Sequence, residues 1–487
     1  MSNNRIHGYL PDERPSFGKL FLYALQQVIV MFPATVTVAL ITGFQVSTTI
    51  FASGLATFCF ILITGKKIPL YYGSSFAYLT AISSMVAAEG TADQIASFKA
   101  TGILPPELIS YAQFGIILSG LISIAAGLLV RFSGRNAVEK ILPPAITGSV
   151  AMIIGLTLAG NALGDAIPKA GAYDSAMTSS WIVVSLVTLL STIIYSRYLR
   201  GLMGQLPLLL GALTGCAFAV VMYLAGDINL FRKIPEAALD ASLWKLGDGS
   251  IFAVPAFTFP RVSLAAAAAI MPIAIATIPE STAHIYQLDI YVNDLAKKKG
   301  LDKKYNLVDK LDRNLIGDGL CDMISGFVGG PAGTNYGENI STMAISKVFS
   351  IPVLITASII AMVISFFTPL IQVIYGIPVA VIGGLEIYLF GAIAAQGIAI
   401  MIDKGVDMFS SKNIAVIATI MVIGIGGNYA FGGNIPLFGI NVPCIAGAAI
   451  FGIALNALLS IGEKKHNNPD IDKAATEVTV ETSENND

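Results

Sequence analysis

Charge is scarce in this chain. Asp, Glu, Lys and Arg make up 12% of its 487 residues, and 55% are hydrophobic. A soluble globular domain carries about twice that charge share, so a water-coated particle is excluded. Histidine is nearly absent: His7, His284 and His466 are the only three. A HExxH-type zinc site has no second histidine near His284, and no Ser/His/Asp motif accompanies it. Cysteine is almost as rare. Cys59, Cys216, Cys321 and Cys444 lie in apolar segments with neither metal-ligand spacing nor a disulfide pattern. They read as small packing residues. The net charge of −2 is silent on nucleic acid, and none is expected as a partner.

What the chain has is long apolar runs. Leu20–Gly65 and Val348–Leu385 contain no charged residue, and each can hold two helices of ~20 residues. The polar start, MSNNRIHGYLPDERPSFGK, feeds a full-length span and does not read as a signal peptide. Hydropathy read against charge predicts an all-α polytopic membrane protein of fourteen transmembrane segments. With the N-terminus inside, alternation leaves only Lys99, Lys169, Arg232, Lys233, Lys245 and Arg261 outside, of 29 basic residues. That asymmetry predicts both termini in the cytoplasm of a cell (inner or plasma) membrane, with lipid as the surrounding partner. Residues 297–313 form a charged connector near the midpoint, and the acidic end over 463–487 reads as a disordered tail.

Three weak echoes recur in the same order. MFPAT (31–35) matches TIPES (277–281), TAIS (80–83) matches MAIS (343–346), and LPPAITG (142–148) matches IPVAVIGG (377–384). Fourteen spans then divide into two repeats of seven, and an odd-numbered repeat must be inverted in the membrane. The third span (73–90) and the tenth (336–347) are rich in Gly, Ser, Asn and Tyr. Irregular backbone at membrane depth is tolerated only where protein buries it or a cavity needs it.

Two acids lie inside otherwise apolar segments: Glu280 in AIATIPESTAHIYQL and Glu338 in GTNYGENI. An intramembrane carboxylate marks a functional site by default. His284 follows Glu280 by four residues and shares its helix face, which points to proton handling or ligand contact. The glycines around Glu338 permit close backbone approach to a ligand. A site of this kind suits a small planar molecule with alternating N–H and C=O groups better than an anion. Asp318 and Asp322 are expected at the interface, paired with basic loop residues. Glu386 in GGLEIYLFG is deeper and reads as a gating or helix-pairing acid of lower rank.

QQVIVMFPATV, GKKIPLYYGSSFAY, IPESTAH and NYGENISTMAISKV together resemble the nucleobase–ascorbate transporters, or nucleobase–cation symporter-2 family. Within it the chain is most similar to bacterial uracil permeases. The resemblance covers about residues 17–462. It implies two inverted seven-span repeats, with spans three and ten interrupted by short β-strands. A core domain (17–130 and 262–373) would move against a gate domain (143–225 and 377–462), behind a cytoplasmic N-terminus (1–16). It implies that Glu280 and Glu338 bind the base, with backbone at Phe76 and Gly337. Tyr336 and Ala34 would line the pocket, Asn339 would be a secondary contact, and His284 with Glu280 would couple the proton. Ser341 and Ser346 depart from the family signature, which places glycine and threonine there. The implied activity is elevator-like proton symport of uracil with no cofactor. Sodium as coupling ion, a xanthine-type purine permease, an anion transporter of related fold and a homodimer through the gate domain stay open.

Overall fold

The computed structural model describes residues 8–134, 142–232, 251–437 and 440–461. The tail expected over 463–487 lies outside the described residues. The first half runs α1 (Phe17–Thr42), α2 (Val46–Ile63), strand β1 (Tyr72–Ser74), a 3-10 turn (Phe76–Tyr78), α3 (Leu79–Glu89), α4 (Ala92–Thr101) and α5 (Pro106–Ser133). α6 (Pro144–Thr157) and α7 (Ala159–Ala166) are parted at Leu158, and α8 (Ser175–Tyr198) and α9 (Pro207–Gly226) follow. The second half opens with α10 (Leu264–Ile270) and α11 (Ala274–Lys298), joined through the turn Met271–Ile273. Then come α12 (Leu311–Val328), strand β2 (Gly333–Asn335), α13 (Gly337–Ser346), α14 (Ile351–Ile364) and α15 (Thr368–Tyr375). The chain ends with α16 (Val379–Asp403), α17 (Ser411–Met421), α18 (Gly427–Phe431), the hairpin β3 (Asn434–Leu437)–β4 (Ile440–Pro443), and α19 (Cys444–Leu459).

The protein is mostly helical. Among the described residues nine helical segments are long and apolar enough to cross a membrane. Their outer faces carry bare aliphatic side chains, such as Leu186, Leu190 and Ile194 on α8 and Val221 and Leu224 on α9. Proline sits in the first turn of α5, α6 and α9, where its missing N–H costs nothing. Pro33 and Pro279 instead lie inside α1 and α11, where each removes a helix hydrogen bond.

Three details of the helices come from the structure. The last helix starts only at Cys444, because Ile440–Pro443 pair with β3. The apolar run after Ser350 is broken: its helix stops at Ile364 and restarts at Thr368. Short α4 was not foreseen. Its signals are local: a Thr91/Gln94 capping box at one end and left-handed Gly102 at the other.

Between the halves, α2 packs on α14, α5 on α12, and α6 on α16. The α5–α12 crossing is glycine-tight. A Cβ on Gly120 would sit 2.3 Å from the Gly319 carbonyl oxygen, and one on Gly319 would sit 2.3 Å from that of Gly120. Such close backbone approach supplies dispersion energy where lipid offers no hydrophobic drive. The strands β1 and β2 pair antiparallel, with Tyr72 opposite Asn335, Gly73 opposite Thr334 and Ser74 opposite Gly333.

The N-terminal arm is tied down. Tyr9 N–H donates to the Lys347 carbonyl and Phe349 N–H to the Tyr9 carbonyl, both at 2.7 Å. The charged connector meets this arm: Lys299 pairs with Glu13 at 2.6 Å and Lys303 with Asp12 at 2.5 Å. Partial burial opposes ionisation of Asp12, but hydrogen bonds from Lys303 and Tyr305 outweigh it and hold the carboxyl below its ordinary value. A lowered folded-state value means the stabilisation is present above the unfolded value and lost as pH falls through the folded one. Acidification below about pH 4 should therefore loosen residues 8–13, and Asp12→Asn should do so at neutral pH. Hydrogen exchange on that segment is the measurement. Exchange insensitive to both changes would show that the ion pair does not anchor the arm.

Candidate functional site

A cavity of about 300 Å³ lies where the two strands end. One wall is built from the residues leaving β1, the residues leaving β2, and the middle of α11. Phe76, Glu280, His284, Tyr336, Gly337 and Glu338 belong to it. The opposite wall is α6 and α16, with Thr147, Leu389 and Gln396 among its residues. Both short helical segments begin at the cavity, one at Phe76 and one at Gly337. The first N–H groups of a helix have no intrahelical partner and carry the positive end of its dipole. The cavity therefore receives backbone donors from two directions.

The acids supply the opposite polarity. Glu280 follows Pro279 on α11, and His284 lies one turn further on the same face. Glu338 is the second residue of α13, deep in the protein yet open to the cavity. Glu280 and Glu338 lie close enough to repel each other when both are ionised. The His284 ring is within hydrogen-bond reach of the Asn335 carbonyl, and its buried Nδ1 has no partner. A ligand entering here meets carboxylate acceptors, an imidazole and helix-end N–H donors at once.

Behind the cavity a polar network holds the strands in place. The Asp322 carboxylate accepts from the Tyr72 hydroxyl and, at 2.9 Å, from Gly333 N–H. Asp318 accepts from the Ser281 hydroxyl and from Asn335 Nδ2 at 3.1 Å. Asn314 Nδ2 donates to Ser281 Oγ at 2.7 Å. The Tyr336 hydroxyl donates to the Ser74 carbonyl at 3.0 Å and meets the Thr35 hydroxyl at 2.9 Å. This corrects the interfacial placement of Asp318 and Asp322, which are only 6% and 2% exposed. Residues 314, 318 and 322 recur every four positions, so they form one polar stripe facing the strands. The four-residue spacing of that stripe is visible in the sequence; what it faces is not.

Two further placements differ from expectation. Ala34 is buried within α1 and is not among the residues lining the cavity; its neighbour Thr35 reaches Tyr336 instead. Asn339 turns away and ties α13 to α1, with Nδ2 donating to Gln27 Oε1 at 2.8 Å and to the Gln27 carbonyl at 3.0 Å. It lies on the α13 face opposite the cavity because successive helix residues diverge by about 100°. Thr147 and Gln396 were missed. Single uncharged polar residues on apolar helices carry no signal until the facing wall is known.

Gly337 packs tightly against His284. A Cβ there would lie 3.0 Å from His284 Nε2. Gly337→Ala should therefore displace the imidazole. With only three histidines in the chain, the ring-nitrogen resonances of His284 can be assigned by substitution. They are expected to shift in Gly337→Ala, and unchanged resonances would remove the ring from that contact.

The permease family model matches residues 18–433. The uracil permease of Bacillus caldolyticus is 34% identical over 450 residues, covering 92% of this chain and 94% of that protein. The uracil permease of Bacillus subtilis is 33% identical, covering 90% and 92%. Among solved structures, the transmembrane domain of a cyanobacterial bicarbonate transporter, BicA, superposes with a TM-score of 0.54 at 14% identity, covering 91% of this chain and 97% of that one. The inward-facing murine Solute Carrier 26 anion transporter A9 superposes with a TM-score of 0.61 at 13% identity, covering 92% and 69%. These two likenesses concern the fold alone. Together with the family match, the identities above place the chain in the nucleobase–ascorbate transporter family of permeases, as a multi-pass membrane transporter and not an enzyme.

Proposed function

We propose that the protein imports uracil together with a proton. The observation that carries this is the cavity itself: two carboxylates, Glu280 and Glu338, face it beside the N-terminal ends of two helical segments. Uracil presents N–H and C=O groups alternately around one plane. The carboxylates accept from its N–H groups, and backbone N–H at Phe76 and Gly337 donates to its carbonyls. The Phe76 ring and Leu389 supply apolar contact. A cavity of about 300 Å³ is at the small end of ligand sites, which suits a single-ring base. Glutamate at position 338, in place of the amide that xanthine transporters of the family usually carry, also favours uracil over a purine. An inorganic anion is disfavoured, because both carboxylates would repel it.

The proton enters at Glu280 and His284. Neutralising Glu280 relieves its repulsion from Glu338 and lets the neutral base and the proton travel as one load. The architecture that would move them is fourteen crossings in two inverted repeats of seven. Its support is the matched set Pro33/Pro279, β1/β2, and α2–α14 against α5–α12. The cavity lies between the α11–β1–β2 side, assigned to the core, and the α6–α16 side, assigned to the gate. Sliding the first past the second opens the site to either face. Pairing of Asp12 and Glu13 with Lys303 and Lys299 sets the N-terminal arm and the basic connector on one face, consistent with a cytoplasmic N-terminus.

Uptake of labelled uracil into proteoliposomes under an inward proton gradient tests the reading. Saturable uptake that a protonophore collapses and xanthine does not compete is expected. Glu280→Ala should abolish uptake. Glu338→Gln should weaken uracil binding about ten- to hundredfold, the worth of one hydrogen bond to a charged group. Normal binding and uptake by both variants would overturn the site, and xanthine uptake without uracil uptake would move the substrate to the purines.

A further inference from the structure

A second acidic site lies away from the cavity. Glu386 sits on α16 one turn before Leu389, on the helix face that continues through Ile393, Gln396 and Ile400 along the cavity wall. It is 1% exposed, and neither carboxylate oxygen has a hydrogen-bond partner in protein. Its side chain faces that of Asp165, near the end of α7, within hydrogen-bonding reach.

The closeness is built into the backbone. A Cβ on Gly383, one turn before Glu386, would lie 2.3 Å from Ala166 N and 2.4 Å from the Asp165 carbonyl carbon. The Ser185 hydroxyl spans the Ala166 carbonyl (2.9 Å) and the Ala380 carbonyl (2.7 Å), and Trp181 Nε1 donates to the Asp165 carbonyl at 2.8 Å. The two carboxyls are thus pinned together by three elements.

Arg232 completes the arrangement. Its charge acts on Asp165 and on Tyr375. Its backbone N–H donates to the Gly376 carbonyl at 3.3 Å. Its guanidinium lies against Gly102 at the end of α4, where a Cβ would meet Nη2 at 2.2 Å. The Tyr375 hydroxyl in turn donates to Gln45 Oε1 and accepts from Val46 N–H at the α1–α2 link. Of the other helices packed against α16, α6 has no titratable side chain, α8 has Arg197 in its last turn with Tyr195 and Tyr198, and α9 has only Cys216 and Tyr223.

Two carboxylates held in contact, Glu386 buried and Asp165 half-buried, favour sharing a single negative charge. Arg232 favours the charge on Asp165. Glu386 is then the carboxylic acid, and its O–H donates to the Asp165 carboxylate. We infer that Asp165 and Glu386 form a second proton-binding site, outside the substrate cavity, which fastens α16 to α7 when occupied. Binding takes one proton from hydronium, leaving water and the neutral acid. Release returns that proton to water and leaves two facing carboxylates that push α16 from α7. Apolar packing of Leu389 and Phe390 with Leu79 and Leu158 adjoins this site on the cavity side, so the two sites load separately.

The site is tested on the full-length protein in lipid. Infrared difference spectra between neutral and alkaline buffer, recorded without substrate, should show loss of a protonated-carboxyl band in the wild type. Glu386→Gln should remove one component of that change, which persists in Glu280→Ala; Asp165→Asn should shift that component, and the conservative Glu386→Asp should restore it. A difference spectrum in both Glu386→Gln and Asp165→Asn identical to the wild type would overturn the proposal. The uptake readout alone rests on the transport reading given above. Wild-type uptake should fall by about tenfold per pH unit on the alkaline limb for each proton required, and Glu386→Gln should flatten that limb by one proton while Glu386→Asp keeps it. An unaltered limb in folded Glu386→Gln would also count against the site. Absence of uracil uptake by the wild type, with the infrared changes as expected, would remove the substrate assignment and leave the proton site standing.

Discussion

Everything in this structure depends on satisfying broken backbone inside a membrane. Two buried segments are extended before they turn helical, and each exposes N–H and C=O groups that an apolar surrounding cannot satisfy. The pairing of Tyr72–Ser74 with Gly333–Asn335 absorbs part of that demand, and Asp322, Ser53 and Thr57 absorb more at Gly333 and Tyr72. What the pairing leaves free is the start of each following helical segment. Those ends become the donors of the cavity. The interruption that threatens the fold and the feature that recognises a ligand are the same piece of backbone.

The buried acids divide by what surrounds them. Asp318 and Asp322 are surrounded by donors and act as struts for the strands. Glu280 and Glu338 face open space and have capacity for a ligand. Glu386 has neither donors nor cavity, only another acid. An isolated buried carboxylate costs several kcal/mol, so each of these environments must repay or remove its charge. Donors repay it in the first case, the proposed base and proton would repay it in the second, and the inferred shared proton would remove it in the third.

The shared fold with bicarbonate and anion transporters shows how little of the chemistry the scaffold dictates. Helix ends aimed at a cavity attract negative charge by themselves. In this chain two carboxylates line the cavity beside such ends and oppose that attraction. A few side chains on a frame can set its chemistry, as expected when function is grafted on fold.

Much was determined by the sequence alone. Charge scarcity and run length dictated a membrane protein, because no other solvent accepts such a surface. The clusters around Glu280 and Glu338 stood out, because acids inside apolar segments are costly, and both clusters line one cavity in the structure. Tertiary structure alone decided which polar residues face each other. It placed Gln396 and Thr147 opposite the acids, turned Asn339 toward Gln27, buried Asp318 and Asp322 behind the strands, and brought Asp165 against Glu386 from more than two hundred positions away. Periodicity tells which face of a helix a residue occupies. What that face meets depends on packing between segments distant in the chain, and glycine contacts such as Gly383 against Ala166 set that packing.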